Sequence, residues 1–425
     1  MSNGRLTIRI ASVTLVLFSL VCGMQPPVTR AAGSQVELQF LVSSGSADQT
    51  RAWQQLIRLF HEKNPDIRVR YQILPPMDIE QKVMTAAAGG VSLDAAWWAT
   101  ASYSKFAWTG LLEPLNSHLE PGILPRLFPS FVNAVSVKNS LFGLPATASP
   151  NALFYNMDLF DAAGVTPPTA NDDWQGFVDK MKKLTKQRGD GTVSQWGFTF
   201  FSGVVREWLN WIWQNGGDLF APDGNAMVVD QAPAAEAVQF LSDLSNVHRV
   251  SPPGPELRGP IWDTFFSGRS AVYPSGAWDV YLINESRLPI DAAPYPKRKA
   301  ATVAVESFIA SVLKTSKHPK EAARLAAFIA GDPEAQKILY AGGWGIPTNM
   351  EVASKAWIRP DTPLREELFI QILASGDWRF VPYGPRWLDI EGSLLDTLWQ
   401  VNDGKVPAQT ALRNFKEAAD SILAK

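Results

Sequence analysis

A chain of 425 residues with 46% apolar content can fill two hydrophobic cores, because a single core stops growing at roughly 250–300 residues. Its 39 basic and 41 acidic residues balance to a net charge of −2 without a basic stripe, which argues against a nucleic-acid-binding surface. A single cysteine, Cys22, excludes an intrachain disulfide and any multi-thiolate metal site.

The first 33 residues stand apart from the rest. Arg5 and Arg9 flank an apolar run, Ile10 to Val21, followed by Pro26-Pro27 and by small residues at Ala31, Ala32 and Gly33. Residues 1–32 are therefore expected to be a secretory signal peptide, too short to span a bilayer as a stable helix. Cleavage after Ala31, Ala32 or Gly33 remains open, and lipidation of Cys22 is the alternative, although Ser19-Leu20-Val21 lacks the small residue that usually precedes a lipidated cysteine. Removal of residues 1–32 takes away Arg5, Arg9, Arg30 and Cys22, and the net charge moves from −2 to −5. The expected product is exported, with stability resting on packing alone.

Val36 to Val42 is predicted as a strand, and Asp48 is placed as the cap of a helix in which Trp53, Leu56, Ile57 and Phe60 recur at helical spacing before Asn64-Pro65 stops it. Ile67, Val69, Tyr71 and Ile73 alternate as a second strand. Asp78 is placed as the cap of a helix to about Ala88, and Leu93 to Ala99 reads as a third strand. This β-α-β-α-β order is that of a doubly wound sheet, whose ligands bind beyond the carboxyl ends of the strands, here Ser43 to Ser46 and Trp97 to Ser102. Further helices are predicted near 173–187, with Trp174, Phe177, Met181 and Leu184 as its buried stripe, and near 206–215 and 233–248. Residues 251–260 (SPPGPELRGP) read as a rigid surface loop, and Val305 to Val312 as one strand. Helices at 319–330, 363–375, 386–402 and 407–424 complete the chain, which carries no internal repeat or low-complexity segment.

Four blocks carry a family resemblance: GLLEPLN at 110–116, YNMDLFDAAGVTPPTANDDW at 155–174, FFSGRSAVYPSGAW at 265–278 and GGWGIPTNMEVA at 342–353. In this order they resemble the bacterial extracellular solute-binding proteins of family 1, in the maltose-binding-protein-like branch for sugars and glycerol phosphate. The resemblance implies a two-lobed α/β fold of the type II periplasmic binding-protein class, each lobe a doubly wound mixed sheet flanked by helices. It implies three hinge crossings, at about 145–151, 296–305 and 343–348. Lobe 1 is expected to comprise 33–147 and 303–346, and lobe 2 148–302 and 347–425. It also implies a monomer in the periplasm or on the outer face of the cytoplasmic membrane that captures a di- or oligosaccharide between the lobes. Closure would then present it to the membrane permease subunits of an ABC importer.

Sixteen tryptophans suit such a role, because sugars present apolar C–H faces to aromatic rings. Position selects among them. Trp278 follows Ser275-Gly276-Ala277, where small residues permit close approach, and the resemblance places it against the sugar. Tyr155 follows the first crossing, where sugar-binding relatives place an aromatic contact. Trp344, between Gly343 and Gly345, is expected to be an exposed cleft wall. Trp97 and Trp98 end the third strand on opposite faces, one toward the cleft and the other toward the core. Trp208, Trp211 and Trp213 share a helix, so at least two of them should be core. Carboxylates and guanidinium forks match vicinal hydroxyls, which selects Asp279 and Arg386. Ser44 and Ser149 stand at a strand end and a crossing as hydrogen-bond donors. Ser43, Glu306 and Ser307 are open to either a ligand or a structural role.

Glycerol-phosphate relatives use an acidic residue at the end of the third strand, where this chain has Trp98 or Ala99. That departure favours a neutral saccharide, while Arg386 keeps a glycerol-phosphate or polyol receptor as the alternative. A secreted glycoside hydrolase is the reading from another class, yet no HExxH, GxSxG or P-loop pattern occurs and the four histidines are scattered. No catalytic residue, metal site or cofactor is expected.

Overall fold

The computed structural model describes residues 35–221, 226–259, 261–355, 364, 366–381, 384 and 386–424. The signal segment and Cys22 lie outside them. Among the described residues no helix is long and apolar enough to cross a membrane.

The first lobe is built on a five-stranded sheet in the order β2-β1-β3-β14-β6, from β1 (Val36–Ser43), β2 (Ile67–Leu74), β3 (Ala95–Ala99), β6 (Gly143–Pro145) and β14 (Phe308–Val312). A small hairpin, β4 (Ser136–Val137) with β5 (Ser140–Leu141), lies beside it in sequence. β1 runs parallel to β2 and β3, as β-α-β crossovers require, whereas β14 returns antiparallel to β3 and β6. The helix Ala47–Lys63 buries Trp53, Leu56, Ile57 and Phe60 as their spacing predicts. Its cap is Ser46, not Asp48: the Ser46 hydroxyl accepts from the Gln49 amide, and Asp48 ion-pairs with Arg51 in the first turn. Asp78 does precede Ile79–Ala88, but its carboxylate makes no capping bond.

The second lobe is built on a five-stranded sheet in the order β12-β8-β11-β10-β9, from β8 (Ala152–Asn156), β9 (Lys186–Gln187), β10 (Val193–Phe198), β11 (Ser270–Ser275) and β12 (Ile290–Ala293). The helix Trp174–Leu184 buries Trp174, Phe177, Met181 and Leu184 against it. That packing depends on Gly197: a Cβ there would stand 2.3 Å from the Met181 carbonyl oxygen, so any side chain would lift the helix off the strand. Trp208, Trp211 and Trp213 are all buried in this lobe's core.

A third sheet joins the two. Its order is β15-β7-β13-β16, from β7 (Thr147–Pro150), β13 (Val303–Glu306), β15 (Ile346–Pro347) and β16 (Trp378–Arg379). Each of the first three is a stretch in which the chain leaves one lobe's sheet for the other lobe, and the three are hydrogen-bonded to one another through β7. The expected single strand Val305–Val312 is in fact two. β13 belongs to this crossing sheet and β14 to the first lobe, with Ser307 at the break. There the Ser307 amide donates to Thr100 Oγ1 (2.7 Å), and the Thr100 amide donates to the Ser307 carbonyl (2.8 Å). Residues 251–260 are not simply a surface loop: Ser251, Gly254 and Leu257 are buried, and a Cβ on Gly254 would meet Asp403 Oδ1 at 2.6 Å.

Candidate functional site

The carboxyl end of β3, the strands β7 and β13, the end of β11 and the start of the helix Val205–Gln214 converge between the lobes. The helix is held to β13 by Asn210, whose Oδ1 accepts from the Ala304 amide at 2.7 Å and whose Nδ2 donates to Tyr295 Oη at 3.1 Å. Arg206 and Glu207 lie four and three residues before Asn210, so each neighbours it one turn earlier on the helix. Arg206 is the centre of the cluster. Its Nε and Nη2 donate to Glu207 Oε1 at 3.2 and 3.0 Å, its Nη1 donates to Glu306 Oε1 at 3.3 Å, and its Cζ lies 4.8 Å from the centroid of the Trp278 ring. Beside it, Ser275 Oγ donates to Asp279 Oδ2 at 2.6 Å.

Three carboxylates thus surround one guanidinium in a poorly solvated place. Burial pushes the Glu207 and Glu306 carboxyls above the usual carboxylate range, with Arg206 opposing that shift in both and Lys105 opposing it more weakly in Glu306. Burial likewise raises Asp279 to about 6, against the hydrogen bond from Ser275 and the attraction of Arg206. Several buried polar atoms here have no protein partner: Glu207 Oε2, Glu306 Oε2 and Ser149 Oγ, with Ser43 Oγ and the Trp97 and Trp344 Nε1 groups nearby in the first lobe and crossing. Ser149 is directly opposite Glu306 in the β7–β13 register, so both side chains project from the same face. Unsatisfied buried donors and acceptors cost about 1–3 kcal/mol each, and a polyhydroxylated ligand is one way to satisfy several at once.

Trp278 is partly exposed and packs against the first lobe's apolar cluster although it belongs to a second-lobe segment, so its indole stands at the lobe junction. What approaches Gly276 closely is this indole: a Cβ at Gly276 would lie 2.3–2.6 Å from the ring of Trp278. Asp279 follows it, also partly exposed. Ser149 is fully buried on β7, and a Cβ on Gly345, whose φ is +112°, would lie 2.4 Å from its hydroxyl.

The other expected positions present no open side chain to this cluster. Trp344 is not exposed by its glycines. It is 1% exposed and clamped by Trp53 (ring centroids 6.1 Å), Trp97 (5.6 Å) and Phe308 (4.7 Å). Trp97 and Trp98 do lie on opposite faces, but neither is open to a cleft. Trp97 stacks on Phe308, and Trp98 stacks on Phe106 and donates to Ser311 Oγ at 3.1 Å. A sheet covered by helices on both faces leaves no outward side for either. Tyr155 is buried in the second lobe's sheet with its hydroxyl 3.2 Å from Asp291 Oδ2. Ser44 Oγ donates to the Ser46 carbonyl and lies 2.9 Å from Thr50 Oγ1, a local turn and helix-start arrangement. Arg386 forms an exposed i,i+3 ion pair with Asp389 at 2.5 Å.

Arg206 and Glu207 were not expected as site residues. Their sequence signal is two adjacent charges in VREWLNWIWQ, a helix whose tryptophans read as core. Lys105 is a second omission. From the first-lobe helix Thr100–Ala107 its Nζ reaches Glu391 of the second-lobe helix Trp387–Asn402 at 2.8 Å and Glu80 at 3.4 Å, an ion triad across the lobes.

Two lobes on separate sheets, joined by three strands of a common crossing sheet and meeting at a charged, aromatic junction, define the class as a two-lobed α/β protein. A sequence model of the bacterial extracellular solute-binding proteins matches residues 55–365, and the chain belongs to that family. It is similar to a putative binding protein of Brucella abortus, 22% identical over 416 residues that cover 96% of this chain and 98% of the relative. A maltotriose-binding protein of Pyrococcus abyssi is 22% identical over 255 residues, 59% of this chain and 51% of that one. Among solved structures, an ABC substrate-binding protein of Listeria monocytogenes in complex with cycloalternan superposes with a TM-score of 0.83 at 24% identity, covering 92% of this chain and 99% of the other. These likenesses establish the two-lobed fold.

Proposed function

We propose that the protein captures a di- or oligosaccharide between its lobes, without chemical turnover, and delivers it to the permease subunits of an ABC importer. The observation that carries this reading is Trp278: a partly exposed indole at the lobe junction, beside buried carboxylates and Ser149 with unfilled hydrogen-bonding capacity. An aromatic wall with a few placed polar groups is the composition of a sugar pocket. The saccharides named for the Pyrococcus and Listeria relatives support the same class of ligand. In this reading the ligand contacts are Trp278, Asp279 and Ser149, joined by Glu207 and Glu306, which Arg206 holds in place. The lobes divide as 33–147 with 303–346 and 148–302 with 347–425. The crossing sheet is the hinge, and ligand must bind the closed arrangement better than the open one for closure to follow. The protein acts as an exported monomer, released after cleavage of residues 1–32 or held at the membrane through Cys22.

Calorimetry against a panel of di- and trisaccharides, with chromatography of the incubated sugars, tests the reading. Saturable binding with unchanged sugars is expected, and Trp278→Ala should lose about 1–3 kcal/mol, roughly 5- to 150-fold in affinity. Release of smaller sugars by the purified protein would refute binding without turnover. Full affinity in Trp278→Ala would remove the indole from the site.

A further inference from the structure

The charge of the junction bears on which saccharides it can hold. Arg206 is the cation placed to meet an anionic ligand, yet Nε, Nη1 and Nη2 all donate to protein carboxylates and its flat face lies over Trp278. Two glutamates share that guanidinium and Asp279 adds a third carboxyl, so acids outnumber cations among the described side chains of the cluster, and the next cation, Lys105, is committed to Glu391 and Glu80. In the ionised form that the Arg206 hydrogen bonds favour, the unpartnered oxygens are acceptors: among the described residues Glu207 Oε2 and Glu306 Oε2 have no donor. Ser149, fully buried and projecting from the same face as Glu306, likewise has an unpartnered hydroxyl. A ligand that completes this set must bring donors. Sugar hydroxyls do so, and a ring ammonium would do so with charge compensation, whereas a carboxylate or phosphate would bring acceptors and like charge into a poorly solvated space.

Resting on the saccharide reading, we propose that the carboxylates of Glu207 and Glu306 around Arg206 act as a charge filter: the cleft accepts neutral and amine-bearing saccharides and rejects uronic acids and sugar phosphates. Arg206 in this arrangement is a positioning residue that holds both glutamates and the Trp278 indole, not an anion receptor. The filter separates this protein from a receptor for glycerol phosphate, in which the guanidinium would have to be released from both glutamates before it could meet the ligand.

The test is calorimetry at pH 7.5 with neutral di- and trisaccharides, each accompanied by its 2-amino-2-deoxy, uronic acid and 6-phosphate counterparts. The amino compounds should bind at least as tightly as the neutral ones, and the acidic ones at least about tenfold more weakly, since like charges in a desolvated site cost more than the 1.4 kcal/mol that a factor of ten represents. In Glu207→Gln and Glu306→Gln, checked for folding by melting, the acidic compounds should recover several-fold relative to the neutral ones. A merely structural role for the glutamates would weaken all classes alike, and that result would overturn the filter. So would a uronic acid or sugar phosphate bound as tightly as its neutral counterpart by the unmodified protein, a result that leaves the saccharide reading intact. Absence of binding by every saccharide would instead refute that reading and the filter with it.

Discussion

Trp344→Ala separates core from cleft most directly. Trp344 is 1% exposed and holds three aromatic neighbours, Trp53, Trp97 and Phe308, at 6.1, 5.6 and 4.7 Å, all in edge-to-face geometry. Such pairs contribute about 0.5–1.5 kcal/mol each beyond burial, and truncating a buried tryptophan costs about 3–5 kcal/mol in total because neighbours collapse only partly into the void. The position can collapse little: Gly345 already lies so close to Ser149 that a Cβ would clash with its hydroxyl, and Trp97 is fixed on a central strand. The unliganded variant should therefore melt about 6–20 °C lower, at about 2–4 °C per kcal/mol for a domain of about 150–250 residues. Scanning calorimetry of the unliganded protein, compared with Trp278→Ala, is the assay. An unchanged melting temperature in Trp344→Ala together with a loss of saccharide affinity would refute the assignment and return this indole to the cleft wall.

Two further outcomes follow from the charges. Lys105→Met removes the cation that links Glu80 of one lobe to Glu391 of the other and leaves two like charges facing each other, so small-angle scattering should give a larger radius of gyration for the unliganded variant. An unchanged radius would mean that the triad does not hold the lobes. Asp279→Asn should stabilise the protein at pH 8 and do so by only about half as much at pH 5, because the change is spread over the interval between the unfolded and folded values. The folded-state carboxyl, facing Arg206, Ser275, Tyr273 and Glu207, is raised to about 6 from 3.8, so it contributes stability below the unfolded value and loses it as the pH climbs through about 6. Urea midpoints at the two pH values would contradict this if the variant were the less stable one at pH 8.

Much of the architecture is legible in the sequence. The helix Ala47–Lys63 could be read because Trp53, Leu56, Ile57 and Phe60 recur at a period of 3.6, and the order of early elements implied a parallel sheet because β-α-β crossovers leave few alternatives. Local competition between neighbours was less legible. Ser46 and Asp48 both have capping side chains, and only the backbone angles at Ser46 decide between them. The Ser307 break was hidden for a similar reason: apolar residues on both sides make a continuous run, while the change of sheet depends on Thr100, some 200 residues away in sequence.

The candidate site is the least legible part, and the difficulty has one cause. An aromatic residue at a strand end looks the same in sequence whether it walls a cleft or fills a core, because both uses bury apolar area. Trp97, Trp98, Trp344 and Tyr155 were selected on position, and packing placed them inside. Trp278 stands at the junction with its indole folded back over Gly276, where only a residue without a side chain leaves room for it. The sequence by itself determined the family, the paired cores and the order of elements, since these follow from periodicity, turn chemistry and motifs within short stretches. Tertiary structure alone decided that Arg206, Glu207 and Glu306 form one cluster and that Lys105 meets Glu391. Buried charges are tolerable only next to partners of opposite sign, and here those partners are brought together by the fold across about 100 residues in the first case and nearly 300 in the second.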